Sequence, residues 1–98
     1  MHNLLGLIRQ MLKQQTSIVN NAGLHARAAS KLVELTSTFA SDVKIGTDKM
    51  VDGKSILSLM MLAATKGTSL NVVLDGPDED QAMIALIALI DDGFGESE

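Results

Sequence analysis

The stretch DVKIGTDKMVDG, residues 42–53, lies at the middle of the chain and sets its architecture. Val43 and Ile45 alternate with polar neighbours, which predicts a strand over 42–46. KMVDG (49–53) is a second short strand, and the turn signal near residues 46–48 joins the two. The stretch therefore predicts a β-hairpin and a sheet that is at least partly antiparallel.

On the N-terminal side of this hairpin the pattern predicts one strand and one helix. QTSIVNN (15–21) is the predicted strand, with Ile18 and Val19 at its centre, and NNAG (20–23) is a turn signal. A helix follows from about Ala26 to Phe39. The residues predicted to share its apolar face recur at helical spacing: Ala29, Leu32, Val33, Thr36 and Ala40.

On the C-terminal side the pattern predicts a helix, a strand and a second helix. Ser55 opens the helix ILSLMMLAATK (56–66), which Gly67 closes. SLNVVLD (69–75) alternates as a strand does. The last helix starts in GPDEDQ (76–81), with Pro77 expected at its first position, and ends at Gly93. It is apolar on most sides, which predicts that it is well buried.

The resulting order β-α-β-β-α-β-α predicts an α+β open-faced β-sandwich, a four-stranded sheet with three helices on one face. The other sheet face is predicted to be exposed, since it carries the polar alternates Ser17, Asp42, Lys44, Ser69 and Asn71. We expect one domain over 15–98. Residues 1–14 are an N-terminal extension whose apolar spacing suits a short helix, either docked on the domain or bound to a partner.

Composition narrows the classes of function. The 98-residue chain has no cysteine, so thiol chemistry and thiolate metal sites are excluded, and a reducing cytoplasm is expected. The net charge of −4 and only two aromatic residues argue against nucleic-acid binding. No apolar run approaches the roughly 20 residues of a membrane span. His2 and His25 lie in separate segments, so no metal site is predicted.

GLHARAAS (23–30) places a histidine where a helix begins. Backbone N–H groups in the first turn of a helix have no intrahelical partner and attract anions such as phosphate. Arg27 adds a planar cation suited to phosphate oxygens. A neutral imidazole is a nucleophile, so the combination suits phosphoryl transfer through His25. The alternative from local physics alone is a surface histidine beside a solvated arginine.

Four separate stretches resemble the HPr family, the histidine-containing phosphocarriers of bacterial phosphotransferase systems. They are GLHARAAS, VDGKSIL (51–57), MMLAATKGT (60–68) and LIDDGFGE (89–96), in the family's order. The resemblance covers roughly residues 16–96. It implies the same open-faced fold and a carrier that is covalently phosphorylated but is not an enzyme.

The resemblance also assigns roles to individual residues. It implies that His25 is phosphorylated on the ring nitrogen nearer the backbone and that Arg27 interacts with the phosphoryl group. Ala28 stands where the family usually has proline, which leaves partner specificity open. Ser55 matches a serine that many members have phosphorylated by an ATP-dependent HPr kinase/phosphorylase; the alternative is that it only caps a helix.

The family's docking patch corresponds to the start of the second helix, where Leu57 and Met60 are the predicted partly exposed contacts; the alternative is that they pack in the core. The family's usual start aligns near Met11, so residues 1–10 lie beyond it.

The function implied is that enzyme I, charged by phosphoenolpyruvate, phosphorylates the carrier, which passes the group to EIIA-type domains. A monomer without cofactors, nucleic acid or membrane contact is expected. Sugar uptake and a regulatory relay both remain open, with Ala28 favouring the relay. Two other classes compete: a binding module switched by phosphorylation of Ser55, and a small ligand- or nucleic-acid-binding domain of similar topology.

Overall fold

The computed structural model describes residues 11–96, which form one four-stranded sheet covered on one face by three helices. The strands are β1 (Leu12–Ser17), β2 (Asp42–Gly46), β3 (Met50–Asp52) and β4 (Ser69–Asp75). Their order across the sheet is β1-β4-β2-β3, and every neighbouring pair is antiparallel. The predicted hairpin is confirmed, with Ile45 opposite Val51.

The three helices are α1 (Ala26–Thr36), α2 (Ile56–Met61) and α3 (Glu79–Asp91), and a 3-10 turn at Gly93–Gly95 follows the last. The element order confirms the predicted open-faced α+β sandwich. Alternate strand residues and the inward faces of the helices meet in one core. Its largest buried side chains are Phe94, Ile18, Leu32, Ile45, Leu59, Leu70, Leu74, Leu86, Ile90, Val43 and Val72.

The opposite face of the sheet is open, as predicted. The polar side chains predicted to lie on it are exposed or half-buried: Ser17, Asp42, Lys44, Ser69 and Asn71. Because strand side chains alternate between faces, the same strands bury Val43, Ile45 and Leu74 toward the helices. The helices, and any site at their ends, therefore lie on one side of the molecule.

The first strand lies earlier in the chain than predicted. β1 ends at Ser17, so Ile18 and Val19 are outside it, and it starts at Leu12, inside the segment assigned to the extension. Ile18 is still tied to the turn before β4, since its N donates to Thr68 O (3.0 Å). The polar residues 13–15 lack an apolar alternation because they lie on a sheet edge that is mostly exposed. Predictions that fall on residues 1–10 lie outside the described residues.

Two helices end sooner than the sequence predicts. α1 stops at Thr36 and not at Phe39, so Ala40 is exposed and does not share the apolar face. α2 stops at Met61 and does not reach Lys66, because the chain turns at Ala63, whose φ is +51°. This turn brings Ala64 O onto Leu24 N at 2.9 Å. A contact between distant segments thus overrides local helix propensity.

The start and exposure of α3 also differ from the prediction. Pro77 precedes the N-cap residue Asp78 and is not the first helical residue. The Asp78 carboxylate accepts from Ala40 N (2.8 Å), Ser41 N (3.0 Å) and Ser41 Oγ (2.5 Å). These hydrogen bonds, that from Ser41 Oγ foremost, hold the pKa of Asp78 below its ordinary 3.8. Ile84 faces outward and is 73% exposed, so the helix is not buried all round.

No helix among residues 11–96 is both long and apolar enough to cross a membrane.

Candidate functional site

The segment before α1 is shaped to deliver His25 to the helix N-terminus. Gly23 has a φ of +72°, and a Cβ there would lie 2.6 Å from Ala64 O, so the backbones approach more closely than a side chain allows. Leu24 is buried beside it. His25 then takes an extended conformation (φ −81°, ψ −177°) and is the N-cap residue of α1. Its own carbonyl accepts the first helical bond, from Ala29 N at 2.8 Å.

The His25 ring caps the helix through one of its two nitrogens. Nδ1 accepts a hydrogen bond from Arg27 N at 3.2 Å, so this nitrogen faces the unpaired N–H groups of the first turn. The side chain is 33% exposed, so the ring is partly accessible to solvent. Nδ1 is the nitrogen nearer the backbone, the one that the resemblance implies is phosphorylated.

The other edge of the His25 ring faces the C-terminal tail, the segment 92–96 that follows α3. Nε2 of His25 contacts a carboxylate oxygen, Oε2, of Glu96. The second oxygen of that carboxylate, Oε1, accepts from Asn20 Nδ2 at 2.9 Å. The same amide also donates to Gly23 O at 2.8 Å, and Asn20 is buried. Asn20 therefore links the tail to the turn before His25.

The tail reaches the site because its backbone turns sharply after α3. Gly93 and Gly95 adopt positive φ, and so does Phe94, at +59°. Phe94 is fully buried and its carbonyl accepts from Lys31 Nζ at 2.8 Å, which fastens the tail to α1. A positive φ is costly for a residue with a Cβ, so the buried ring and the lysine bond hold this turn.

Arg27 lies at the same helix end as His25, but its side chain has another environment. It is exposed, and within residues 11–96 its guanidinium makes no hydrogen bond or ion pair, so it is available to an incoming anion. Ala28, at the position where the resembled family usually has proline, is fully buried and packs in the core.

Ser55 marks a second helix start. It is the N-cap of α2, and its Oγ accepts from Ser58 N at 3.2 Å. The capping role considered from the sequence is thus present. α1 and α2 pack against each other, so both starts belong to one side of the molecule.

The start of α2 carries an apolar surface. Leu57 is 70% exposed and Met60 is 40% exposed, as the sequence predicted. The full set, called the α2 surface below, is Ile56, Leu57, Met60 and Met61. Contiguous exposed apolar side chains are typical of a binding surface.

Sequence reasoning missed Asn20 and Glu96. The stretch LIDDGFGE (89–96) is one of the four that carry the resemblance, but nothing local indicates that its last residue contacts a histidine 71 positions away. Among residues 11–96 there is no cluster of three or more histidine, aspartate or glutamate side chains that could hold a metal ion.

Comparison with known proteins gives consistent matches. Residues 12–92 match the family model described as the PTS HPr component phosphorylation site. Phosphocarrier protein HPr of Cupriavidus necator is 51% identical over 89 residues, 90% of this chain and all of that protein. The protein of the same name from Neisseria meningitidis serogroup A is 52% identical over the same shares. The crystal structure of HPr-C-His from Thermoanaerobacter tengcongensis is 36% identical, with a TM-score of 0.84, over 89% of this chain and 99% of that one.

Proposed function

The chain belongs to the HPr family of phosphotransferase-system phosphocarriers, and on that premise we propose that His25 carries the phosphoryl group on Nδ1. A carrier is a substrate of its partners and not a catalyst. The observation that supports this assignment is the position of Nδ1, which accepts from Arg27 N at the start of α1. A nitrogen lone pair at a helix N-terminus, where anions bind favourably, supports the proposed role as phosphoryl carrier.

The helix start suits the phosphorylated state as well. Nδ1 cannot accept a hydrogen bond once it is bonded to phosphorus. A phosphoryl oxygen then takes its place as acceptor for Arg27 N, and the exposed guanidinium of Arg27 pairs with a second oxygen. Because the N–H groups are already oriented, the site needs little rearrangement to hold the new charge.

Enzyme I charged by phosphoenolpyruvate is the proposed donor, and EIIA-type domains are the proposed acceptors. Both must bring a reacting group in line with Nδ1 while covering the site from water. The α2 surface, with Leu57 70% exposed, is the proposed docking contact. If both partners dock on this one surface, only one of them binds at a time, so the carrier releases the donor before it meets the acceptor.

The test is intact-mass analysis after incubation with phosphoenolpyruvate and purified enzyme I. We expect one added phosphoryl group that survives mild base and is lost in acid, as for a phosphohistidine. His25→Ala is expected to abolish it, whereas His2→Ala, which removes the other histidine, is expected to leave it. Labelling of the His25→Ala protein would overturn the assignment.

A second candidate function rests on Ser55, whose Oγ caps α2 directly before the α2 surface. A phosphate there gains from the helix N-terminus and adds about two negative charges beside the docking contact. Incubation with ATP and an HPr kinase/phosphorylase tests it, with Ser58→Ala as control for Ser55→Ala. A serine phosphate without any histidine phosphate would favour the regulatory binding module over the carrier.

A phosphocarrier of this kind serves either sugar uptake or a regulatory relay. Sugar uptake requires transfer to EIIA domains of sugar permeases, and a regulatory relay requires transfer to EIIA-type domains that belong to no permease. Offering phosphorylated protein to both kinds and measuring which accepts the group faster separates the two roles. The cytoplasmic location expected from the sequence remains a prediction.

A further inference from the structure

Phosphoryl transfer at Nδ1, as proposed above, does not itself involve the contact between Glu96 and Nε2 of His25. We propose that Glu96 is a positioning residue for phosphoryl transfer: it holds the hydrogen of the His25 ring on Nε2 and balances the positive charge that the ring gains at Nδ1. This inference rests on the proposed function, since it takes His25 as the phosphorylated residue.

The two ring nitrogens of His25 have opposite hydrogen-bonding roles. An ionised carboxylate only accepts hydrogen bonds, so its partner Nε2 is the donor. At the other edge Arg27 N donates to Nδ1, so Nδ1 carries a lone pair. A neutral imidazole has one nitrogen of each kind. Both contacts therefore select the same tautomer, with the nucleophilic pair at the helix end.

Phosphorylation at Nδ1 changes the charge of the His25 ring. In the transfer, the Nδ1 lone pair forms the bond to phosphorus, and the bond from phosphorus to the donor breaks, its electron pair leaving with the donor. The hydrogen on Nε2 stays in place, so the ring becomes a cation. A carboxylate already bonded to Nε2 stabilises that cation without taking its proton, as in other carboxylate–histidine pairs. In donation the Nδ1–P bond breaks and its electron pair returns to Nδ1, so a ring that has kept the Nε2 hydrogen leaves as neutral imidazole and not as the poorer imidazolate anion.

Neighbouring residues hold the Glu96 carboxylate in place. Oε1 of Glu96 is fixed by the buried Asn20, and the tail before it by the buried Phe94 and the Lys31 Nζ bond. The Glu96 side chain is only 18% exposed, so water competes little for it. These supports lie on three different segments, which distinguishes the contact from a chance surface ion pair.

The experiment combines a spectroscopic readout with a rate. In protein carrying ¹⁵N-histidine, we expect the wild-type Nε2 to bear a hydrogen that exchanges slowly with water. Glu96→Ala should lose this signal, and Glu96→Gln, which keeps an acceptor oxygen, should retain it. Rapid-quench transfer from phosphorylated enzyme I should slow by about ten- to hundred-fold in Glu96→Ala, the effect of one charge-assisted hydrogen bond. Glu96→Gln should be intermediate.

Glu34→Ala is the matched control, because it removes the same charge from the exposed side of α1. It should leave the signal and the rate unchanged. If Glu96→Gln transfers as fast as wild type, the charge has no role and the inference is overturned. An unchanged ring signal in Glu96→Ala overturns it too. Wild-type protein that enzyme I does not label on His25 would instead refute the proposed function, while the ring signal would still report the tautomer.

Discussion

The starts of α1 and α2 are both capped by a side chain, but only the capping residue of α1 is also held by a distant part of the chain. In each, an extended N-cap residue accepts a backbone N–H with its side chain, His25 through Nδ1 and Ser55 through Oγ. The α2 cap is made within four residues. The His25 ring is held at its second edge by Glu96, which is 71 positions away.

The difference shows what each region needs. Contacts from the C-terminal tail hold the ring of His25, and the transfer proposed there requires a fixed orientation. The six-residue α2 instead leaves most of its apolar side chains exposed, and methionine adapts readily to differently shaped partners. The ring of His25 is held by contacts from distant segments, whereas the apolar side chains of α2 remain exposed.

The largest expected effect comes from removing the buried ring of Phe94, which holds the C-terminal tail near His25. Phe94→Ala should lower the free energy of unfolding by about 3–5 kcal/mol, because a fully buried aromatic ring is deleted. Urea denaturation measures this change. The slowly exchanging Nε2 hydrogen of His25 should disappear as well. The matched control is Ile84→Ala, whose side chain is exposed; if both variants kept the ring signal, the contrast between the two starts would fail.

The next effect concerns recognition at α2. Leu57→Ser should raise the KM for phosphorylated enzyme I about ten-fold with little change in kcat, as loss of one apolar contact in an interface does. Steady-state transfer kinetics give both constants. Ile84→Ser is a close control, since Ile84 is 73% exposed and Leu57 70%, and only Leu57 lies on the α2 surface. Equal effects of the two would show that general surface polarity, and not this surface, matters.

A smaller effect is expected at the α2 cap. Ser55→Ala should cost about 1 kcal/mol of stability, the usual value of an N-cap hydroxyl. Thermal unfolding measures it, with Ser58→Ala as control because the donor N–H of Ser58 stays. The rate of His25 phosphorylation should not change. A slowed rate would mean that the two helix starts are coupled.

The smallest effect concerns the third helix start, where the carboxylate of Asp78 bonds to the segment after α1. Its folded pKa is lowered, first by the hydrogen bond from Ser41 Oγ, so the ionised form favours folding. This stability is present above the ordinary value of 3.8 and is lost as pH falls below it. Asp78→Asn should flatten the acid limb of a stability-against-pH curve, and Asp80→Asn, in the same helix turn, should not.

The parts of the fold that were predicted from sequence are those with a strict local pattern. β2 and β4 alternate clearly because each buries one face. The predicted position of β1 is wrong because the polar residues of this edge strand hide the alternation. The predicted α2 is too long because a contact between Ala64 and the distant Leu24 follows the end of the helix. Local propensity carries no information about such a contact.

The same distinction applies to the site. The sequence predicts roles for His25, Arg27 and Ser55 because a helix start is a local feature with its own chemistry. It predicts none for Asn20 and Glu96, because their relation to the ring exists only after the tail has packed. Their side chains are common polar types in unremarkable turns. Only the folded structure brings Asn20 to Glu96 and Glu96 to the His25 ring.

The tail contact has a consequence for how the protein is made. His25 leaves the ribosome 71 residues before Glu96, which is about 4 to 14 seconds earlier at ordinary rates of synthesis. During that interval a nascent chain has His25 but not the Glu96 carboxylate that contacts its ring. The surroundings of His25 are therefore completed last, and a purification tag fused directly after the tail would disturb them more than a tag placed before β1.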